Sequence, residues 1–228
     1  MQLRVKQFNP SEWPLRAAEL IQDEVDTLLN KQGRCSVMLT GGRSAERLYN
    51  SWADLPAFQQ LTGVCFYFGD ERCVPPDHLE SNYGMALRGL FQQGIPFGCS
   101  VSRMETDDSD WEAAAQRYEE LLPENIDILL LGVGEDGHIA SLFPGSVLLD
   151  EVGRHVVPIV GPKPPYERFT ITPPVIAKAR SVFVLATGEA KALVFEKAQN
   201  AESDFRSIPA CLVLNGIWLL DTPIDSNR

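Results

Sequence analysis

The sequence predicts an α/β fold, a doubly wound and mostly parallel sheet flanked by helices on both faces. Three observations carry that prediction. Helix and strand signals alternate along most of the 228 residues, which is the pattern of successive β-α-β units. The stretch 126–133 (IDILLLGV) is apolar on both faces after Asp127, as a central parallel strand covered on each side requires. The composition, 44% hydrophobic and 22% charged, is that of an ordinary globular protein and excludes collagen, coiled coil and disorder.

The elements follow in order. Ser11 is placed to cap a helix whose apolar positions Ala18, Ile21, Val25 and Leu28 recur at helical spacing, and Gly33 ends it. A strand over 35–40 (CSVMLT) runs into Gly41-Gly42-Arg43-Ser44 and a short helix. A second strand over 64–68 (VCFYF) stops at the loop Gly69-Asp70-Glu71-Arg72. A polar loop with Pro75-Pro76 then leads to a helix capped by Ser81 or Asn82. The acidic stretch 107–124 reads as a helix with a solvated face, and the strand over 126–133 opens into Gly134-Glu135-Asp136-Gly137-His138. Further strands are expected over 155–160, 169–172, 181–187 and 211–214, with helices over 174–180 and 189–200. No repeat or long linker interrupts the chain. One domain over 1–228 is expected, with a small subdomain around the proline-rich 158–174. At this size folding buries roughly 70–75% of the unfolded surface, so the core needs no staples.

Twenty basic residues against thirty-one acidic ones give a net charge of −11. Non-specific binding to nucleic acid or an anionic membrane needs a basic face, so both are excluded as partners. An anionic small molecule remains open, provided a few cations converge. The five cysteines (Cys35, Cys65, Cys73, Cys99 and Cys211) form an odd, scattered set, which argues against a disulfide framework or zinc site and for a reducing compartment. Cys35, Cys65 and Cys211 lie in apolar runs and read as small core residues. The N-terminus shows no signal peptide, and no run approaches the roughly 18 apolar residues of a membrane span, so a cytoplasmic location is expected.

Ligands of open α/β sheets sit beyond the carboxyl ends of the strands, which singles out the loops 40–44, 69–72 and 132–138. Gly132-x-Gly134-x-x-Gly137 matches the dinucleotide fingerprint in letters only. Pro144-Gly145 cuts short the long helix that should follow, and no acid stands about 20 residues on for a ribose. The segment therefore reads as a flexible turn or as a glycine loop holding His138 against a substrate. His138 has a side chain suited to accepting a proton at neutral pH, although a lone histidine is as readily structural. Asp70-Glu71-Arg72 offers a guanidinium for phosphate or carboxylate, or else a surface salt-bridge cluster. Gly41-Gly42-Arg43-Ser44 gives free N–H groups and a hydroxyl at a helix start, where anions bind, without the lysine of a P-loop. Lys163, Arg168 and Lys191 are isolated cations; taken singly each is a solvated side chain, and together with Arg72 they supply a positive pocket. No G-x-S-x-G elbow and no histidine cluster with metal spacing is present, so serine-hydrolase chemistry and a metal site are not supported.

Five ordered segments, LTGGRSAERLY (39–49), FGDERCVPPDHLESNYGMA (68–86), LLLGVGEDGHIASLFPG (129–145), PKPPYERFTIT (162–172) and ATGEAKA (186–192), resemble the 6-phosphogluconolactonases. The resemblance covers most of the chain. It implies the fold shared with glucosamine-6-phosphate deaminases, and hydrolysis of 6-phospho-D-glucono-1,5-lactone without a cofactor. It implies His138 as general base, Asp70 and Arg72 beside the substrate, and Asp70 or Asp136 orienting the imidazole. Gly41, Gly42, Arg43 and Ser44, with Lys163, Arg168 and Lys191, would hold anionic or hydroxyl groups. The partner expected is the sugar-phosphate lactone alone, with the chain a monomer or small homo-oligomer. Two departures stand out. Ala45 replaces a proline common among relatives, and Phe143 stands where the deaminases carry a glutamate, which favours the lactonase.

Overall fold

The structure is a computed structural model describing residues 4–200 and 204–222; residues 1–3 of the N-terminal stretch lie outside the described residues. In chain order the elements are β1 (Arg4–Gln7), α1 (Trp13–Gln32), β2 (Cys35–Leu39), α2 (Arg43–Ala53), α3 (Pro56–Gln59), β3 (Val64–Phe68), β4 (Asp70–Arg72), α4 (Asn82–Arg88), β5 (Ser100–Val101) and α5 (Trp111–Leu121). They continue with β6 (Ile128–Gly132), β7 (Val156–Val160), β8 (Glu167–Ile171), α6 (Pro173–Lys178), β9 (Ser181–Ala186), α7 (Glu189–Gln199) and β10 (Ile217–Leu220).

Seven strands form one sheet in the order β1-β10-β9-β6-β2-β3-β5, and every pairing in it is parallel. The chain steps outward from β2 through β3 to β5. It then returns to the other side of β2 with β6 and steps outward again through β9 and β10. The direction of winding thus reverses between β2 and β6, and such a switch point leaves a crevice above the two strand ends. A second, antiparallel sheet in the order β4-β8-β7 stands beside this crevice.

Alternate strand side chains feed two apolar layers. Val37 and Leu39 of β2 pack with Trp13, Ile21 and Val25 of α1 and Leu48 and Trp52 of α2. Met38 of the same strand joins Tyr118 of α5, Ile176 of α6, Phe195 of α7 and Phe169 of β8. Two buried tyrosines then close the ends of neighbouring strands. Tyr49 of α2 accepts from the Thr40 N–H at 2.9 Å and donates to the Thr40 carbonyl at 2.7 Å. Tyr118 of α5 does the same for Phe68, at 2.6 and 3.0 Å. Burial pushes both phenols above their ordinary pKa, so each stays a donor as well as an acceptor.

The structure corrects several expectations. Ser11 does not cap α1; the cap residue is Glu12, and the Asn9 carbonyl accepts from the N–H groups of Glu12 and Trp13. Residues 70–72 are not a loop but the strand β4, because Asp70, Glu71 and Arg72 pair with Thr170, Phe169 and Arg168. The expected strand over 211–214 is a short 3-10 helix over Pro209–Val213, begun by a proline that cannot donate to a ladder; the strand follows at β10. The acidic helix is shorter than expected, starting after its cap Asp110, and Leu122 before Pro123 is extended. Of the three cysteines expected in the core only Cys35 is buried; Cys65 is exposed, because it faces a groove beyond the end of α5, and Cys211 is half-buried.

Tyr118→Phe should leave the buried N–H and C=O of Phe68 unpaired and destabilise the fold by about 1–3 kcal/mol. Urea denaturation of the variant beside the parent measures it.

Candidate active site

The loop after β2 is built around a close approach. A Cβ on Gly41 would lie 2.0 Å from Asn82 Oδ1, so the side chain of Asn82 needs the bare backbone there. Gly42 adopts φ +92° and precedes Arg43, the first residue of α2, without supplying a capping side chain. The first-turn N–H groups of α2 are therefore left to the crevice. Behind them Ser44 Oγ meets Thr187 Oγ1 at 2.6 Å and accepts from Lys191 Nζ at 3.1 Å. Burial first and Arg43 second hold the Lys191 pKa below its ordinary range.

The glycine loop after β6 opens no helix. It doubles back through bridges of Ile139 with Val133 and Leu142, and Ala140 takes the left-handed φ of +48° that side-chain-bearing residues avoid. Gly134 is required beneath the imidazole, since a Cβ there would sit 2.0 Å from His138 Nδ1. Gly137, at φ +85°, abuts Ile208 and accepts from the Ala210 N–H at 2.9 Å, which ties the loop to the segment before β10.

His138 Nδ1 lies 2.5 Å from Asp136 Oδ1, and Lys163 Nζ lies 3.4 Å from Asp136 Oδ2. The His138 hydrogen bond holds the Asp136 carboxyl well below the usual carboxylate range. An ionised carboxylate only accepts, so Nδ1 carries a proton, and in the neutral imidazole the lone pair therefore falls to Nε2. Among the described residues Nε2 has no hydrogen-bond partner.

The strand β4 sorts its three side chains by alternation. Asp70 and Arg72 face the crevice, whereas Glu71 is turned into the protein and accepts from the N–H groups of Arg72, Asn82 and Tyr83 and from Ser81 Oγ. Burial raises the Glu71 pKa despite those donors. The Asp70 carboxylate accepts from Ser141 Oγ at 2.8 Å and Asn82 Nδ2 at 3.1 Å, so its partners are these two and not the imidazole. Arg72 donates from Nη1 to the Glu80 carbonyl at 2.7 Å, and its buried Nε has no partner. Directly across the ladder stands Arg168, which is 4% exposed and donates from Nε to the Pro165 carbonyl at 2.8 Å. Burial and the facing Arg72 lower the Arg168 pKa.

These groups line one cleft of about 450 Å³. Its wall includes Gly41, Gly42, Arg43, Asp70, Arg72, His138, Lys163, Arg168 and Lys191, and also Thr40 and Glu135. Five cations against Asp70 and Glu135 make it positive in a chain of net charge −11. Ser44 and Asp136 stand one layer back, behind Lys191 and His138. His78 accepts from the Glu80 N–H and His155 pairs with Glu119, both away from this wall. Sequence reasoning missed Asn82, Ser141 and Phe143 as partners of the site, because each reaches its contact only through the fold. No group of three or more metal-ligating side chains is assembled among the described residues.

The profile of the family described as glucosamine-6-phosphate isomerases/6-phosphogluconolactonase matches residues 9–219. The chain belongs to this family. It is 36% identical over 221 residues to the 6-phosphogluconolactonase of Rattus norvegicus, covering 90% of this chain and 84% of the relative. It is 37% identical over 228 residues to the Streptomyces coelicolor 6-phosphogluconolactonase, with 90% and 86% covered. Among solved structures, 6-phosphogluconolactonase from Trypanosoma cruzi superposes with a TM-score of 0.83 at 28% identity, covering 99% of this chain and 97% of that one. A 6-phosphogluconolactonase from Shewanella baltica superposes at 0.84 with 23% identity over 96% and 97% of the two chains, and so shows the fold.

Inorganic phosphate should raise the Tm, because an anion relieves the mutual repulsion of Arg72 with Arg168 and of Arg43 with Lys191. At a concentration of 100 Kd the gain is about 2.7 kcal/mol. Lys191, with its folded pKa lowered, releases its proton sooner folded than unfolded; its contribution to stability therefore rises with pH through the interval below the ordinary lysine value. Lys191→Met should remove that slope and shrink the phosphate shift, both read by thermal melts across alkaline pH.

Proposed function

We propose that this chain hydrolyses 6-phospho-D-glucono-1,5-lactone to 6-phospho-D-gluconate, a step of the pentose phosphate pathway, with His138 as general base. The carrying observation is one imidazole, fixed by a carboxylate at Nδ1 and with Nε2 unpartnered, in a cleft whose wall carries five cations against Asp70 and Glu135. The named relatives support the lactone as substrate.

The substrate brings a phosphate of about −1.5 to −2 charge at one end and an ester carbonyl at the other. Gly41, Gly42 and Arg43, with Arg72, Lys163, Arg168 and Lys191, hold its anionic and hydroxyl groups and bring C1 to His138, while the buried Ser44 hydroxyl steadies Lys191 from behind. His138 Nε2 takes a proton from water as the water oxygen bonds to C1. The tetrahedral oxyanion is met by positioned donors, for which the Arg72 guanidinium and the N–H groups of the glycine loops on the same wall are suited. The bond from C1 to the ring oxygen then breaks, and His138 returns its proton to that oxygen. Asp136 keeps the productive tautomer throughout and stabilises the imidazolium. Asp70 holds Ser141 and Asn82, which fixes the wall beneath the sugar. The scheme needs no cofactor. It belongs to a cytoplasmic setting and a single catalytic domain.

A pH-stat with freshly made lactone, corrected for spontaneous hydrolysis, should record enzyme-dependent proton release. Release of ammonia from glucosamine 6-phosphate instead would assign the chain to the other activity named in the family description. His138→Ala should lower kcat by about 10²–10⁴-fold with the fold intact. Equal kcat in variant and parent would remove His138 from the mechanism. Arg168→Ala should chiefly raise KM, since a phosphate contact equal in ground and transition states affects binding.

A further inference from the structure

We propose that Phe143 is a positioning residue for this reaction, one ring that sets both the imidazole of His138 and the guanidinium of Arg168. The inference rests on the reading of His138 as the base. The Phe143 and His138 ring centroids lie 4.8 Å apart at 39°, and Arg168 Cζ lies 5.5 Å from the Phe143 centroid. The ring itself is closely packed, being 4% exposed and so near Gly161 that a Cβ there would come within 2.9 Å of its Cε2. The imidazole also rests close to the bare backbone of Gly134.

His138 is thus held by three contacts of different kinds. Asp136 fixes one ring nitrogen, Gly134 leaves room beneath, and Phe143 covers a remaining side. The Asp136 bond alone would let the imidazole swing about the Nδ1 contact; an aromatic neighbour at this separation removes that freedom without adding a polar group. Arg168 needs the same ring for another reason. It is buried, and its two contacts besides the Pro165 carbonyl are long, 3.4 Å to the Lys163 carbonyl and 3.5 Å to Ser141 Oγ. The π face supplies the attraction those bonds lack. Base and cation are therefore spaced by one rigid body, so that moving the ring displaces both.

The test is Phe143→Leu and, as a separate variant, Gly161→Ala, which leaves every cleft side chain chemically unchanged and crowds the ring. Each variant should lose kcat by about 10²-fold from misplacement of the base and raise KM several-fold through Arg168. In spectra of protein labelled in its three histidines, the His138 ring signal, assigned by its loss in His138→Ala, should move while those of His78 and His155 stay. If Phe143→Leu does not fold, Gly161→Ala decides alone. Unchanged kcat, or a loss of activity with the His138 signal unmoved, overturns the proposal. Turnover retained by His138→Ala would instead sink the reading of the base, and the histidine signal would still report whether the ring contact exists.

Discussion

A strand that leaves a parallel sheet takes its N–H and C=O groups out of the ladder, and where it leaves in the interior those groups must find partners without water. That constraint shapes the whole cleft. Thr40 and Phe68 are released side by side, and each is met by a phenol from a helix on the opposite face of the sheet. Thr40 then lends its own Oγ1 to the Gly132 N–H at 3.1 Å, while the Gly69 N–H returns to the Leu39 carbonyl and the Gly69 carbonyl receives the Ile171 N–H. The ends of β2, β3 and β6 and the start of the second sheet are thereby laced into one rim. Side chains placed on that rim inherit the rigidity of the core below.

Charge is organised on the same rim against the grain of the molecule. A chain this acidic repels an anionic sugar everywhere except where cations are gathered, and the gathering is costly. Arg72 and Arg168 face each other across a ladder, a pairing that destabilises a sheet, and Lys191 is drawn out of water beside Arg43. Folding alone gives no return on these contacts. They are stable because Glu71, Ser44 and the Pro165 carbonyl fix the surrounding backbone and side chains, and a bound anion relieves them.

Much of this was legible in the chain. The apolar run of β6 and the glycine-ended strands announce the sheet, and the rule about carboxyl ends of strands finds three of the segments that line the cleft, 40–44, 69–72 and 132–138. His138 is legible as a candidate, with Asp70 and Asp136 both open as its partner. What escaped was long-range or locally unremarkable. β1, polar and mostly exposed, carries no burial pattern to read. Asp70–Arg72 looks like a loop until Glu167–Ile171 is brought beside it. The choice between Asp70 and Asp136 as partner of the imidazole depends on Asn82 and Ser141, twelve and seventy-one residues from Asp70. Phe143 shows in the sequence as an apolar residue before a proline where the deaminases carry a glutamate; its two polar neighbours exist only after folding.

The positive wall has a consequence for the way a catalytic cycle closes. Opening the lactone turns a neutral ester into a carboxylate, so the acid that departs carries one more negative charge than the ester that arrived. On the proposed reaction the arginines and lysines of the cleft wall would hold the product harder than the reactant. Leaving, more than arriving, is then the step on which ionic strength acts most favourably.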